Sequence, residues 1–204
     1  MDITLFPTKG NLMLAKNTLR LSVQGYDLLD RKRNILIREM MSLIEKAKEV
    51  QSSIDLTFAR AYKALEHANI AIGISEVEKI SHAVPIEDRV KINFRSVMGV
   101  EIPIVKYDRQ EASPNYGFFM THSALDEALV KFDRVKRLTL DLAEIETGVY
   151  RLAVNISKTQ KRANSLKNVI IPKYEGIVKS IQEVLDEKER EEFTRLKVIK
   201  KQCH

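Results

Sequence analysis

The groups in this chain best able to hold a metal ion or move a proton are four histidines, His67, His82, His122 and His204, and one thiol, Cys203. Protein metal sites bring several such ligands together, commonly from positions a few residues apart. These imidazoles are isolated in sequence and show no such spacing, so no metal site is expected. Phosphate chemistry would call for a glycine-rich loop whose amides cradle the anion, but Gly73, Gly99 and Gly117 each stand alone. Serine, aspartate and glutamate are plentiful, and on long helices they are accounted for as solvent-facing. The sequence thus predicts no catalytic residue, no cofactor and no enzyme activity of its own. Cys203 is the only cysteine, so no internal disulfide can form, which fits a reducing, cytoplasmic compartment.

Charge is the chemistry that remains. The 204 residues carry 34 Lys and Arg against 28 Asp and Glu, a formal charge of +6, with a pI near 9.3. Such a balance can signal nucleic acid or an anionic membrane. The pattern argues against both: Arg31-Lys32-Arg33 is flanked by Asp27, Asp30 and Glu39, and similar interleaving continues along most of the chain. That is the exterior of a solvated helical pair. No apolar run approaches the ~20 residues of a membrane span. The opening residues also lack the apolar core of a signal peptide.

The elements that carry these charges share one period. Leu12, Leu19, Tyr26, Arg33, Met40, Ala47, Ile54, Ala61 and Ala68 recur every seven residues. So do Ala15, Ser22, Leu29, Leu36, Leu43, Val50, Thr57 and Ala64, and only Ser22, Arg33 and Thr57 in the two sets are polar. A spacing held at 3.5 residues drifts around a straight helix and imposes a left-handed supercoil on a partner. From Val135 the chain supplies that partner: Leu142, Val149, Ile156, Ala163, Ile170, Ile177 and Val184 form one set, and Leu138, Ile145, Leu152 and Leu166 a second. Two seams in one chain are satisfied by folding back on each other. Few aromatics (6%), seven Gly, five Pro and 30% charge are the composition of long helices. At 1.5 Å per residue the first would be roughly 90 Å long, a rod.

The expected fold is therefore all-α dominated, a long antiparallel two-helix left-handed coiled coil (an α-hairpin) with a small β-hairpin inserted in its middle. Residues 1–72 hold the first helix, with Thr8 as a candidate N-cap, an equal alternative being a start at Asn11, and with Gly73 closing it. Residues 73–122 form a middle region: a short helix from Ile74 to His82 ended by Pro85, then alternating strands Val90–Arg95 and Val100–Val105 around a turn at Val97-Met98-Gly99-Val100. Pro103 confines the second strand to an edge, and a loop follows at Ser113–Gly117. A lone hairpin is marginal in water, so it should pack on the rod's end or on a partner. Residues 123–204 hold the second helix, kinked at Pro172. Beyond Pro172 its second set slips by one residue, to Tyr174 and Ile181.

Three blocks of sequence resemble a family. Pro7-Thr8-Lys9-x-x-Leu12 with Gly25-Tyr-Asp-Leu28-Leu29-Asp-Arg-Lys32-Arg33-Asn-x-Leu36 is similar to the opening of the D subunits of the V-type and archaeal A-type rotary ATPases. Ala163-Asn164-Ser-Leu166-Lys-Asn-Val-Ile-Ile171-Pro172 is similar to that family's second signature, and Asp186–Lys197 to its third. The middle matches only loosely, apart from Ser96-Val97-Met98-Gly99-Val100. The resemblance implies a non-catalytic central-stalk rotor component, transmitting torque between ATP hydrolysis or synthesis and proton or sodium transport by a membrane ring. It implies as partners the hexameric catalytic head built of A and B subunits, the small F subunit, and the d (or C) subunit that links to the ring. Attachment to the membrane would be only through the complex. Partner contacts would fall on Pro7, Thr8, Lys9, Arg31, Lys32, Arg33, Glu189, Arg190, Arg195 and Lys197.

The chain departs from the family pattern at Asp30, Asn34, Ser165 and Lys167, where Lys, Asp, Ala and Glu are usual. The opposite sign changes at Asp30 and Lys167, both at heptad e positions, predict that the two face each other. If the return runs from Ile72 to Ser123, facing residue numbers sum to about 195, a register within two of the Asp30–Lys167 pair, which also lays Gly25 near Pro172. Two readings of other kinds stay open. A prefoldin-type holdase would expose apolar residues at its coil ends, where this C-terminal end reads as charged. A basic coiled coil could bind nucleic acid, with a steep salt dependence.

Overall fold

A computed structural model describes residues 6–84, 90–107, 116–117 and 121–202. Pro85, the Ser113–Asn115 part of the predicted loop, Cys203 and His204 lie outside them. Helix α1 spans Lys9–Ile72 and α2 Ile74–Ser81. Strands β1 (Val90–Val97) and β2 (Val100–Tyr107) follow, then α3 (Ser123–Ser165), a π-helical turn at Leu166–Ile170, and α4 (Ile171–Gln202). The helical pattern and the two-stranded hairpin are those the sequence predicts. Each strand runs two residues further than its alternation alone indicates.

The ends of the elements follow local chemistry. Thr8 caps α1 by accepting the Asn11 amide on its hydroxyl at 3.2 Å, satisfying one first-turn donor that has no helical partner. Gly73, with φ 96°, closes α1 in a conformation that a Cβ would strain. His122 caps α3 through Nδ1, which accepts the Ala124 amide at 3.2 Å.

The chain divides into two units. In the first, residues 9–34 and 156–202 make an antiparallel helical pair. The Arg33 guanidinium donates to Gln160 at 2.7 Å, Lys167 lies over the Tyr26 ring, and Lys9 meets Glu189. The numbers in each pair add up to within a few of the predicted 195. Ala15, Ala163 and Ile181 are buried between the helices, together with Ser22 and Thr159.

The second unit, Ile35–Asn155, holds another antiparallel pair and the hairpin. Tyr62 meets Phe132 edge to face, ring centroids 5.6 Å apart. Leu36, Ile54, Ala61, Ala64 and Ala68 are buried with Leu125, Ala128, Val135, Ile145 and Leu152. Alanines in the seam let the two backbones approach closely. None of the seventeen heptad positions of α1 is exposed. Its polar exceptions are satisfied: Ser22 and Thr57 donate to the carbonyls of Thr18 and Ser53 in their own helix, and Arg33 reaches across the pair.

The hairpin packs on the flank of its helical pair rather than at an end. Ile102, buried on β2, enters a notch at Gly148, where an added Cβ would lie 3.1 Å from Ile102 and 3.3 Å from Leu43. Arg95 pairs with Glu39 at 2.5 Å, and the Glu144 carboxylate accepts the Val105 amide at 2.6 Å.

The second seam differs from expectation beyond Leu166. Val184, assigned to the unshifted set, is 38% exposed, whereas Ile181 is buried and Tyr174, Val178 and Leu185 are half-buried. The first set keeps Ile177 half-buried where the sequence places it and is displaced by a residue only at Leu185, while the second is displaced at Tyr174 and Ile181. The π turn is the cause: the Ile171 amide bonds to the Leu166 carbonyl, five residues back, so one extra residue is taken up. Everything after it presents the face its predecessor would have shown. Pro172, which has no amide to give, follows directly.

Candidate interaction surfaces

Among the described residues, no three His, Cys, Asp or Glu side chains converge as metal ligands, and no helix is long and apolar enough to cross a membrane. What the chain offers is surface. The candidate contact residues divide into those tied down within the fold and those left outward.

Lys9 and Glu189, from the first and third signature blocks, form an ion pair at 2.8 Å across the first unit. A hydrogen bond from Lys9 and its positive charge hold the Glu189 carboxyl below its ordinary value. Glu189 in return raises the Lys9 ammonium. Arg33 is committed as well, to Asp30 at 2.6 Å and to Gln160. Pro7 and Lys32 are half-buried, and Thr8 is occupied as a cap. Arg31 and Arg190 are exposed, Arg195 lies 3.8 Å from Glu191, and Lys197 rests over Phe193.

The predicted Asp30–Lys167 pair is not formed. Asp30 is held by Arg33 one turn on in its own helix and also accepts from the Asn34 amide nitrogen at 3.4 Å, while Lys167 sits 5.7 Å from the Tyr26 ring centroid. An i,i+3 partner on the same helix needs no particular register between helices, so it takes the carboxylate first. Gly25, expected near Pro172, instead faces Leu166, whose Cδ1 would be 3.7 Å from an added Cβ. Leu166 belongs to the π turn, which brings that side chain opposite the glycine.

Two apolar rows escaped the sequence reading. Leu14, Leu21 and Leu28, spaced by seven, are 56–67% exposed beside the buried seam. At the end of α4, Phe193, Leu196, Val198 and Ile199 are 50–65% exposed among the charges, so that end is not purely charged. The i, i+3, i+6 spacing of Phe193, Leu196 and Ile199 was the available signal, masked by the surrounding Lys, Arg and Glu. Such rows mark surfaces that meet other proteins.

The family model for the D subunits of ATP synthases matches residues 11–201. The D subunit of the V-type ATP synthase of Thermotoga neapolitana is 45% identical, covering 97% of this chain and 98% of that protein. Its counterpart in the A-type ATP synthase of Methanobrevibacter smithii is 37% identical, over 95% of this chain and 85% of its own. That of the A-type enzyme of Pyrococcus abyssi is 34% identical, over 95% and 92%.

Proposed function

Because the chain belongs to the family of ATP synthase D subunits, we propose that it is the central rotor shaft of a V/A-type ATPase, a non-catalytic part through which torque passes between the catalytic head and the ion-conducting ring. The observation that carries this reading is the family match over residues 11–201, which takes in both long helices. The helices suit the task. Seventeen seam positions withdrawn from solvent make paired helices stiffer in torsion than either alone. Charged outer faces let a shaft slide past several stator surfaces without adhering to one. The chain would act by presenting an asymmetric surface to successive catalytic interfaces, biasing each toward a different affinity state.

The exposed apolar rows are where we place contact with the head, and the exposed Arg31 and Arg190 where charged contacts with neighbouring subunits would form. The partners this reading supplies are the A and B subunits of the head, the F subunit, and the d (or C) subunit next to the ring. Attachment to the membrane would then run through the complex alone. The test is rotation itself. A bead tethered through a cysteine introduced at exposed Glu78 should turn in one direction when ATP is supplied to the immobilised complex. A bead that stays fixed while ATP is hydrolysed at the normal rate would exclude the rotor role.

A further inference from the structure

Among the described residues, nothing covers one edge of the hairpin. Met98 and Gly99 both have positive φ, 50° and 76°, the two-residue turn whose twist matches the flanking strands. Such a loop makes Val97 and Val100 a hydrogen-bonded pair, and pairing alternates from there. Arg95–Ile102, Asn93–Ile104 and Lys91–Lys106 bond within the ladder. Ile92, Phe94 and Ser96 therefore direct their amides and carbonyls away from β2. The opposite strand agrees with this assignment. Val105 is at an outward-directed position and gives its amide to Glu144, and Pro103, at another, has no amide to give. The edge of β2 is thus closed by α3 and a proline. Among the described residues, nothing hydrogen-bonds to the outward edge of β1. An open edge of this kind is normally blunted or covered.

The side chains along that edge say what would fit. Ile92, Phe94 and Met98 are 60%, 56% and 48% exposed. Lys91 stands directly across from Lys106, both exposed, and neither has a carboxylate within ion-pair reach among the described residues. Like charges opposed across a ladder weaken it. β1 carries Lys91 and Arg95 and no acid, and Arg95 is already held by Glu39, so a second copy of β1 would bring Lys91 no carboxylate.

We propose that β1 accepts a third strand: an extended segment of a different protein in the complex that alternates apolar residues with acidic ones. Its apolar side chains would cover Ile92 and Phe94, and its carboxylates would lie beside Lys91 and relieve the opposition to Lys106. Main-chain hydrogen bonds supply the affinity in strand addition and alternate side chains the selectivity. The proposal goes beyond the rotor reading, since a stationary component could carry the same edge.

Residue-resolved amide hydrogen exchange tests it, on the full chain alone and in the complex purified from membranes. In the free chain the Ile92, Phe94 and Ser96 amides should exchange openly while Asn93 and Arg95 are protected. In the complex the three outward amides should slow by about tenfold or more, and a photoreactive residue at Ser96 should cross-link to a segment of alternating apolar and acidic sequence. Lys91→Glu should slow exchange at Asn93 in the free chain, because it removes the opposed cations, yet reduce outward protection in the complex. Phe94→Pro, which spares the ladder, should abolish protection at Ile92 and Ser96. Outward amides that exchange equally fast in both states would overturn the proposal. So would a cross-link to a helix or to another copy of this chain, or a Lys91→Glu variant with gains in both states. Rotation of the bead is unaffected by any of these results, so the two readings fail separately.

Discussion

Gly25 and Gly148 look equivalent in sequence, each a lone glycine inside a long helix, but their surroundings oppose each other. An added Cβ at Gly25 meets Leu166 at an ordinary contact distance, whereas at Gly148 it meets Ile102 and Leu43 well inside one. Gly25→Ala should therefore stabilise the chain by about 0.5–1 kcal/mol, the helix propensity gained. Gly148→Leu should cost about 1–3 kcal/mol by overpacking, although leucine is a strong helix former. Denaturant unfolding with hairpin exchange as a second readout would check both. The Lys9–Glu189 pair sets a pH window. Glu189 is lowered by its partner, so its contribution is present above the ordinary carboxylate value of 4.5 and is lost as pH falls through its depressed one. Lys9 is raised, so its contribution holds below 10.5 and is lost as pH climbs through the raised value. Spin labels at exposed Lys16 and Glu183 should give a narrow distance distribution at neutral pH and broader ones in strong acid or base. Lys9→Ala should weaken that dependence, the pair being one exposed tie among several.

The π turn is the element whose role is most open to direct test. It takes up one residue where the seam slips by one, and it lies beside a proline that an α-helix would not accommodate. Deleting Asn168, an exposed residue of the turn, leaves the downstream face in phase but forces Pro172 into a regular helix. The deletion alone should cost roughly 3 kcal/mol, the usual penalty of proline in a helix interior. Adding Pro172→Ala should recover most of that loss, a coupling that unrelated sites would not show. Deleting Lys158 instead, in regular helix, should turn every later seam residue off its face and destabilise far more. Pro172→Ala should not rescue it. The sequence displayed the slip from Leu166 to Tyr174, but not whether a kink or a π turn absorbs it. That choice depends on which hydrogen bonds the partner helix leaves the chain free to rearrange.

The last turns of α4 carry exposed apolar and charged residues and, beyond Glu189, are tied to the start of α1 only by the charge of Glu192 acting on Lys9 among the described residues. If their task is coupling, truncation after Asp186 should leave helicity per residue nearly unchanged and reduce ATP-driven ion transport. Circular dichroism and vesicle transport assays would check this, and collapse of the helices would assign those turns to folding instead. The sequence alone determined the long helices, their antiparallel pairing, the close at Gly73 and the hairpin turn within Val97-Met98-Gly99-Val100, and it offered Thr8 as one of two helix starts. Each of these follows from period or local backbone chemistry, which a linear pattern records. Only the tertiary structure decided that Asp30 bonds to Arg33 and not to Lys167, that Ile102 enters the notch at Gly148, and that Leu185 replaces Val184 in the seam. It also decided that β2's edge is closed and that β1's, among the described residues, is left open. Those outcomes depend on which of several chemically suitable partners comes within about 3 Å, a competition between distant segments that spacing along the chain does not encode.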